Sequence, residues 1–164
     1  MKLKIIYFTI LLFSTFFFDK IYAQNQEVLI GKFHYTLLNQ EPFIDWKSKN
    51  YNYNPDYIII KELKKVINNK QIKIIIILGT WCSDSQMQVP RFLKILDDIN
   101  FNYNNLTLIG VNREKQAETI DISKYKISRV PTFIFFNKDK EIGRITETPE
   151  NSLEKDFLNT ISKK

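Results

Sequence analysis

The sequence of 164 residues contains a single cysteine, Cys82, and a single histidine, His34. One cysteine excludes any disulfide within the chain. Structural zinc sites use four ligands and catalytic ones three, so this shortage also argues against a metal site. No pattern in the sequence places His34 near Cys82, and we interpret His34 as a surface or packing residue rather than a catalytic base. We expect neither a metal nor another cofactor.

The sequence also lacks an apolar run long enough for a transmembrane helix. Its longest mostly apolar stretch, Ile5–Phe18, has 14 residues, whereas a membrane-spanning helix needs about 20. Lys2 and Lys4 precede this stretch, and Ala23 offers a cleavage site after it. This pattern is typical of a secretory signal peptide. We predict that residues 1–23 are a signal peptide and that the mature protein is exported, either periplasmic or secreted.

Two alternatives to a cleaved signal peptide stay open. An uncleaved stretch would keep the protein in contact with a membrane, at least transiently. A buried N-terminal helix is disfavoured, because four phenylalanines between positions 13 and 18 leave the stretch without a polar face.

No part of the sequence concentrates charge of one sign. The formal net charge is +6, from 24 basic and 18 acidic residues. Lysines alternate with acidic residues, as in 61–64 and 138–141. Such mixing is typical of a solvated surface and differs from the clustered basic patch of a nucleic-acid-binding protein. We therefore expect no nucleic-acid partner.

The most informative stretch surrounds Cys82. Ile74–Leu78 is an unbroken apolar run, which predicts a strand buried on both faces. From Val89 onward the apolar residues recur at helical spacing. Cys82 therefore falls at a strand-to-helix turn, where unpaired backbone N–H groups and the helix dipole favour a thiolate. A chemical role is favoured over the alternative of an inert buried cysteine.

The segment Trp81–Ser85 resembles the active-site motif of the thioredoxin superfamily, Trp-Cys-x-x-Cys, with Ser85 in place of the second cysteine. Pro90 stands eight positions after Cys82, where the family keeps a helix-kinking proline. A second segment, Tyr125–Phe136, resembles the family's region around its cis-proline. The resemblance covers about residues 55 to 162. It implies an α/β thioredoxin-like fold with a central mixed sheet and helices on both faces.

For the site, the resemblance implies that Cys82 attacks disulfides of proteins or small molecules and forms mixed disulfides. Ser85 would donate a hydrogen bond to the Cys82 sulfur, but it cannot resolve the intermediate, so turnover would need an external thiol. Trp81, Val130 and Pro131 would line a peptide-binding groove, with a cis bond between Val130 and Pro131. Arg129 either brings positive charge toward Cys82 or projects into solvent.

Two departures from the family pattern weaken the expectation of an efficient reductase. Ile76 occupies the position of a buried aspartate, and Gly110 lies near the position of an accompanying lysine. Asp84 also adds negative charge near the sulfur, which opposes the thiolate. Two classes of function therefore stay open: a thiol-disulfide oxidoreductase, and a non-catalytic peptide-binding or chaperone-like module. Peroxide reduction is a third and weaker alternative.

The sequence shows no internal repeats or low-complexity linkers, and we divide it into the signal peptide, an N-terminal extension at 24–53 and a thioredoxin-like domain at 54–164. The extension is predicted to hold short strands within 29–37 and a helix within 43–49. In the domain we expect the order β-α-β-α-β-β-α. A helix should run from Asp56 to about Asn68, a strand parallel to the central one should span 106–111, and a short helix or turn should span 118–125. One strand should end at Phe136 and the next should span 141–146, with a bulge or close backbone approach at Gly143, and a last helix should start at Thr148-Pro149-Glu150.

Signal-peptide cleavage gives the first testable prediction. N-terminal sequencing of the protein purified from its native host should begin near Gln24, because the peptidase would cut after the Ile21-Tyr22-Ala23 segment. A mature chain that retains Met1 and stays in the cytoplasm would contradict the prediction.

Overall fold

The computed structural model describes residues 28–50, 52–118 and 120–163. The predicted signal peptide lies outside these residues. Within them, no helix is both long and apolar enough to cross a bilayer.

The described chain forms one mixed five-stranded sheet, in the spatial order β1-β3-β2-β4-β5. Only β2 and β3 are parallel, as predicted, and every other neighbouring pair is antiparallel. The central strand β2 starts two residues before the predicted run and has neighbours on both sides. The strands are β1 at Gly31–Phe33, β2 at Ile72–Leu78, β3 at Leu106–Gly110, β4 at Thr132–Asn137 and β5 at Lys140–Thr146.

The four α-helices of the described residues contribute their apolar side chains to a single large core on one face of the sheet. The helices are α1 at Ile44–Asn50, α2 at Tyr57–Asn68, α3 at Ser83–Asp98 and α4 at Leu153–Ser162. On this face Phe92 of α3 lies 4.6 Å from the ring of Phe133 and 5.3 Å from that of Phe157. The rings hold α3 and α4 against β4.

The opposite face is covered by the segment between β3 and β4. The buried side chains Ile77, Ile109 and Ile134 pack here against Val111, Ala117, Ile122 and Val130. Within the described part of this segment the only helix is the 3-10 turn Ser123–Tyr125, so the helical cover predicted for both faces is reduced here to one turn. The reason lies in its composition, since residues 112–116 are polar and supply no apolar stripe for an α-helix.

The start of α2 confirms the sequence prediction, and the start of α4 corrects it. The Asp56 side chain accepts hydrogen bonds from the N–H groups of Ile58 and Ile59 and caps α2. The last helix was predicted to start at Thr148-Pro149-Glu150, but its N-cap is Ser152, whose hydroxyl accepts from the N–H of Lys155 at 3.3 Å. The Asp156 carboxylate accepts from the Glu150 N–H at 2.6 Å. That bond ties residue 150 into a turn ahead of the helix.

Gly143 occupies a bulge in β5, as predicted. The pairing shifts between Phe135 and Phe136, because Phe135 lies opposite Gly143 while Phe136 lies opposite Glu141. A Cβ atom at Gly143 would lie 2.6 Å from the Thr160 Cγ2 atom. Glycine therefore allows α4 to pack closely on the strand.

Pro90 lies inside α3 and removes one backbone donor from the helix. The Gln86 carbonyl, four residues earlier, accepts instead from the Asn50 amide at 3.2 Å. The same Asn50 side chain accepts from the Arg91 Nε at 3.0 Å. The end of α1 is thus hydrogen-bonded to the cysteine-bearing helix at its proline.

Residues 31–50, which the sequence analysis separated from the thioredoxin-like domain, join the same sheet and core. β1 adds an antiparallel edge strand to β3. Leu38, Phe43 and Trp46 are buried in the main core. Further along, the Tyr53 hydroxyl donates a 2.5 Å hydrogen bond to Glu154 of α4, which also accepts from the Asp56 N–H at 3.2 Å.

The Tyr53–Glu154 bond predicts a loss of stability in alkali. Burial first, and then the bond to Glu154, raise the pKa of Tyr53 well above its ordinary value of 10. The folded protein therefore holds this proton more tightly than the unfolded chain, so the contribution is full below about pH 10 and is lost as the pH rises further. Tyr53→Phe should lower the free energy of unfolding at neutral pH by about 1 kcal/mol. It should also flatten the fall of Tm above about pH 10.

Tyr57→Phe is the matched control, because Tyr57 is 77% exposed. It should leave both the neutral stability and the alkaline slope as in the wild type. Parallel alkaline curves for wild type and Tyr53→Phe would contradict the prediction.

Candidate functional site

Cys82 is the N-cap residue of α3, directly after the turn that ends β2, as the sequence analysis predicted. Its N–H donates to the Gly79 carbonyl at 2.9 Å, and its own carbonyl accepts from the Gln86 N–H at 3.0 Å. The side chain makes no cap hydrogen bond and is partly exposed. The Cys82 residue therefore lies at a helix N-terminus and within reach of solvent.

The Cys82 sulfur faces the start of β4. Its S–H donates to the Val130 carbonyl at 3.4 Å. The bond between Val130 and Pro131 is cis, which confirms the prediction from the second motif. The Pro131 carbonyl accepts from the Glu147 N–H at 2.7 Å, and the Arg129 carbonyl accepts from the Thr132 hydroxyl at 2.6 Å. These bonds hold the proline turn in place against the thiol.

Ser85 does not make the predicted hydrogen bond to Cys82. Its side chain is fully buried, and its hydroxyl oxygen accepts from the Gly79 N–H at 3.2 Å. Across the described residues, no hydrogen bond joins Ser85 to the Cys82 sulfur. The prediction is wrong because the turn after β2 leaves the Gly79 N–H without a strand partner, and Ser85 supplies the acceptor. Ser85 thus fixes the turn that carries the cysteine.

Trp81 packs against the turn that precedes Cys82. Its indole lies over Gly79, where an added Cβ atom would come within 2.6 Å of the ring. The indole N–H donates to the Val111 carbonyl at 2.9 Å. The ring is only partly buried, and it packs on the smaller core beside Cys82. Trp81 therefore covers the end of β2 and also borders the thiol.

The two charged residues singled out near the motif, Arg129 and Asp84, have different surroundings. Arg129 is 66% exposed and forms a 2.6 Å ion pair with Glu147. Of the two alternatives for Arg129, the structure shows an exposed side chain whose charge is already paired. Asp84 lies in the first turn of α3, where the helix dipole favours its negative charge.

The two departures from the family pattern have clear structural causes. Ile76 is fully buried in the main apolar core, so no ionisable group lies beneath the cysteine at this position. Gly110 pairs with Gly31, and a Cβ atom at Gly110 would collide with the Leu29 carbonyl oxygen. The N-terminal segment therefore fills the space that a side chain on β3 would need.

The same segment reaches the turn before the cysteine, which the sequence analysis did not anticipate. The Leu29 N–H donates to the Thr80 hydroxyl oxygen at 3.2 Å. Gln86 of α3 also donates to the Thr80 carbonyl at 2.8 Å. No local sequence pattern marks the contact between Leu29 and Thr80, because it joins residues that are distant in the chain.

Arg113 is the other residue near the motif that sequence reasoning missed. Its guanidinium carbon lies 4.9 Å from the centre of the Trp81 ring. The only signal in the sequence is that Arg113 follows closely after the end of β3, the strand beside β2.

His34 lies apart from this chemistry. It is exposed, and its ring Nδ1 accepts from the Thr36 N–H at the start of the 3-10 turn Tyr35–Asn39. The described residues contain no group of three or more His, Cys, Asp or Glu side chains placed to hold a metal ion.

Known proteins match this chain over much of its length. A thioredoxin-like protein of Acanthamoeba polyphaga mimivirus is 26% identical over 90 residues, which cover 55% of this chain and 63% of the viral protein. A peptide-N(4)-(N-acetyl-beta-glucosaminyl)asparagine amidase of Caenorhabditis briggsae is 22% identical over 104 residues, which cover 63% of this chain and 16% of the amidase. The chain thus spans less than two thirds of either relative.

The X-ray structure of Fasciola hepatica thioredoxin is similar at a TM-score of 0.40, with 20% identity, and covers 61% of this chain and 88% of the thioredoxin. The family model described as thioredoxin matches residues 34–157. This match includes most of the 164 residues and both motifs that meet at the thiol, and the chain therefore belongs to the thioredoxin family.

Proposed function

We propose that this protein is a thiol-disulfide oxidoreductase that works outside the cytoplasm through the single thiolate of Cys82. The observation that carries the proposal is the position of Cys82. It is a partly exposed N-cap residue, and its sulfur lies 3.4 Å from the carbonyl oxygen of Val130, which precedes Pro131. Export is supported by the pattern of residues 1–23, and the substrates would be protein or small-molecule thiols and disulfides.

The proposed reaction starts with loss of the Cys82 proton to solvent. The thiolate attacks one sulfur of a substrate disulfide, a new bond forms to Cys82, and the other substrate sulfur leaves as a thiolate. The Val130 carbonyl, which loses its S–H donor in this step, becomes available to a backbone N–H of an extended substrate. An edge contact of this kind is a form of strand addition. Trp81, Val130 and Pro131 would border the bound peptide, with Arg129 at the outer end of the turn.

The mixed disulfide would need a second thiol from outside for release. Ser85 has no sulfur, and its oxygen is already engaged with the Gly79 N–H. The proposal therefore assigns Ser85 a positioning role in the turn rather than a chemical step. Because Ile76 offers no proton relay, we expect slow turnover without an added thiol.

A second candidate function is a peptide-binding or chaperone-like module that retains the groove without turnover. The buried Ser85 and Ile76 favour it, because both replace groups with which the two-cysteine relatives complete the reaction. Reactivity of Cys82 separates the two candidates.

Replacement of Cys82 gives the first test of the proposal. The wild-type mature protein should form mixed disulfides with peptide disulfides and should alkylate near neutral pH faster than a small free thiol. Cys82→Ser should abolish every adduct while retaining the fold, because the change is nearly isosteric and the site is partly exposed. Intact-mass analysis after an acid quench measures the adducts, and circular dichroism checks the fold. If Cys82 alkylates no faster than a free thiol and captures no disulfide, the oxidoreductase proposal fails and the groove-binding module takes its place.

Replacement of Ser85 gives the second test. Ser85→Cys would supply a resolving thiol at the spacing of the two-cysteine relatives, so release becomes intramolecular. Because a tethered group acts at an effective concentration in the millimolar range, disulfide-reductase turnover should rise on the order of tenfold at low external thiol.

Ser83→Cys is the matched control, because it adds a thiol to the same helical turn without the two-residue spacing. It should leave turnover near the wild-type level. Equal turnover of Ser85→Cys and wild type would count against a reactive Cys82 thiolate as the centre of the site.

A further inference from the structure

Arg113 is a cationic residue in contact with the thiol motif, and the proposed function gives it no role. Its guanidinium carbon lies 4.9 Å from the centre of the Trp81 ring, and Trp81 directly precedes Cys82. Arg113 itself is exposed to solvent. None of the ion pairs formed by the described residues involves Arg113.

The loop that carries Arg113 is held closed by its own hydrogen bonds. The Asn112 N–H donates to the Gln116 carbonyl at 3.0 Å, and the Lys115 N–H donates to the Asn112 carbonyl at 3.0 Å. The Asn112 side-chain oxygen accepts from the Gln116 N–H at 2.8 Å. The indole of Trp81 is tied to the start of the same loop through Val111. These hydrogen bonds hold the loop backbone on both sides of Arg113 and tie Trp81 to the start of the same loop.

We infer that Arg113, stacked on Trp81, is a specificity-determining residue that favours disulfide substrates carrying an anionic group beside the reacting sulfur. Stacking on an aromatic face directs the positive charge toward the rim of the site and leaves its edge donors free for a carboxylate. This inference rests on the proposed function, because the preference is expressed through capture by Cys82.

The other charges around the motif do not cancel this effect. Arg129 is paired with Glu147, so it adds little net charge to the groove. Asp84 is acidic, but the unpaired N–H groups of the first turn of α3 offset part of its charge. Glu114 is exposed next to Arg113 in the loop and has no ion pair with it among the described residues.

The chemical step is the one already given, and no further reactant is needed. The Cys82 thiolate attacks one sulfur of the peptide disulfide, the Cys82–sulfur bond forms as the peptide disulfide bond breaks, and the second peptide leaves as a thiolate. The mixed disulfide retains the oxidation level of the original disulfide. Arg113 takes no part in the bond exchange and would contact only the acidic side chain of the substrate.

The test uses three disulfide-linked peptides that differ only in the residue next to their cysteine, which is glutamate, glutamine or lysine. Mixed-disulfide formation by the mature protein is followed by intact mass after an acid quench. Because the intrinsic reactivity of each peptide cancels, the informative quantity is the glutamate-to-lysine rate ratio of wild type divided by that of Arg113→Gln. We expect this double ratio to lie between about twofold and fivefold, as an exposed ion pair provides. It should fall toward one as ionic strength rises.

Lys124→Gln is the matched control. It removes one positive charge that also lies over an aromatic ring, 5.1 Å from the centre of Tyr125. Lys124 faces the opposite end of β2 and β3, beside Ile74 and Asn105. Its glutamate-to-lysine ratio should equal that of the wild type.

Three outcomes would overturn the inference. A double ratio of one would show that Arg113 does not select anions, while the proposed function would stand. A ratio that falls equally in Lys124→Gln would show an effect of net charge alone. If Cys82 captures none of the three peptides, the proposed function itself fails, and this inference fails with it.

Discussion

The structure depends most on the burial of β2 between two sheet neighbours and two apolar layers. Its alternate side chains enter the main core and the smaller core, so the strand has no freedom to shift register by one residue. Register fixes where the strand ends, and the end of the strand fixes Gly79 and the turn to Cys82. The position of the thiol therefore depends on apolar packing several residues away as well as on the hydrogen bonds of its own turn.

A second set of contacts brings the proline turn to the same place. β4 pairs with β2 along six residue pairs, from Ile72–Asn137 to Ile77–Thr132. This pairing carries Pro131 to the end of the sheet where Cys82 lies. Cys82 and Pro131 are 49 residues apart in sequence. They meet because Cys82 follows the end of β2 and Pro131 precedes the start of the antiparallel neighbour β4.

The parts of the site that were predictable from the sequence are those fixed by local patterns. An apolar run followed by helical spacing is enough to place Cys82 at a helix start, and the motif around Pro131 is enough to predict its cis bond. The partner of Ser85 was not predictable, because only the three-dimensional path of the turn leaves the Gly79 N–H without a strand acceptor and places it near the Ser85 hydroxyl. The predicted start of α4 was wrong for a similar reason, since the Asp156 carboxylate accepts hydrogen bonds from backbone N–H groups that precede the helix. The stacking of Arg113 on Trp81 was not predictable either, because no residue pattern predicts the hydrogen bonds that close the loop from Asn112 to Gln116.

The hydrogen bond from the Asn50 amide to the Gln86 carbonyl makes α1 part of the smallest unit that can fold on its own. Pro90 leaves the Gln86 carbonyl without its helical donor, and the donor that replaces it belongs to α1. A chain trimmed to begin at residue 54 would leave this carbonyl without its Asn50 donor and would leave the Arg91 guanidinium without its Asn50 acceptor. It would also uncover the edge of β3 and open a gap where Leu38, Phe43 and Trp46 fill the core. Residues 31–50 therefore stabilise the helix that carries Cys82, and the smallest stable form of this protein has to include them.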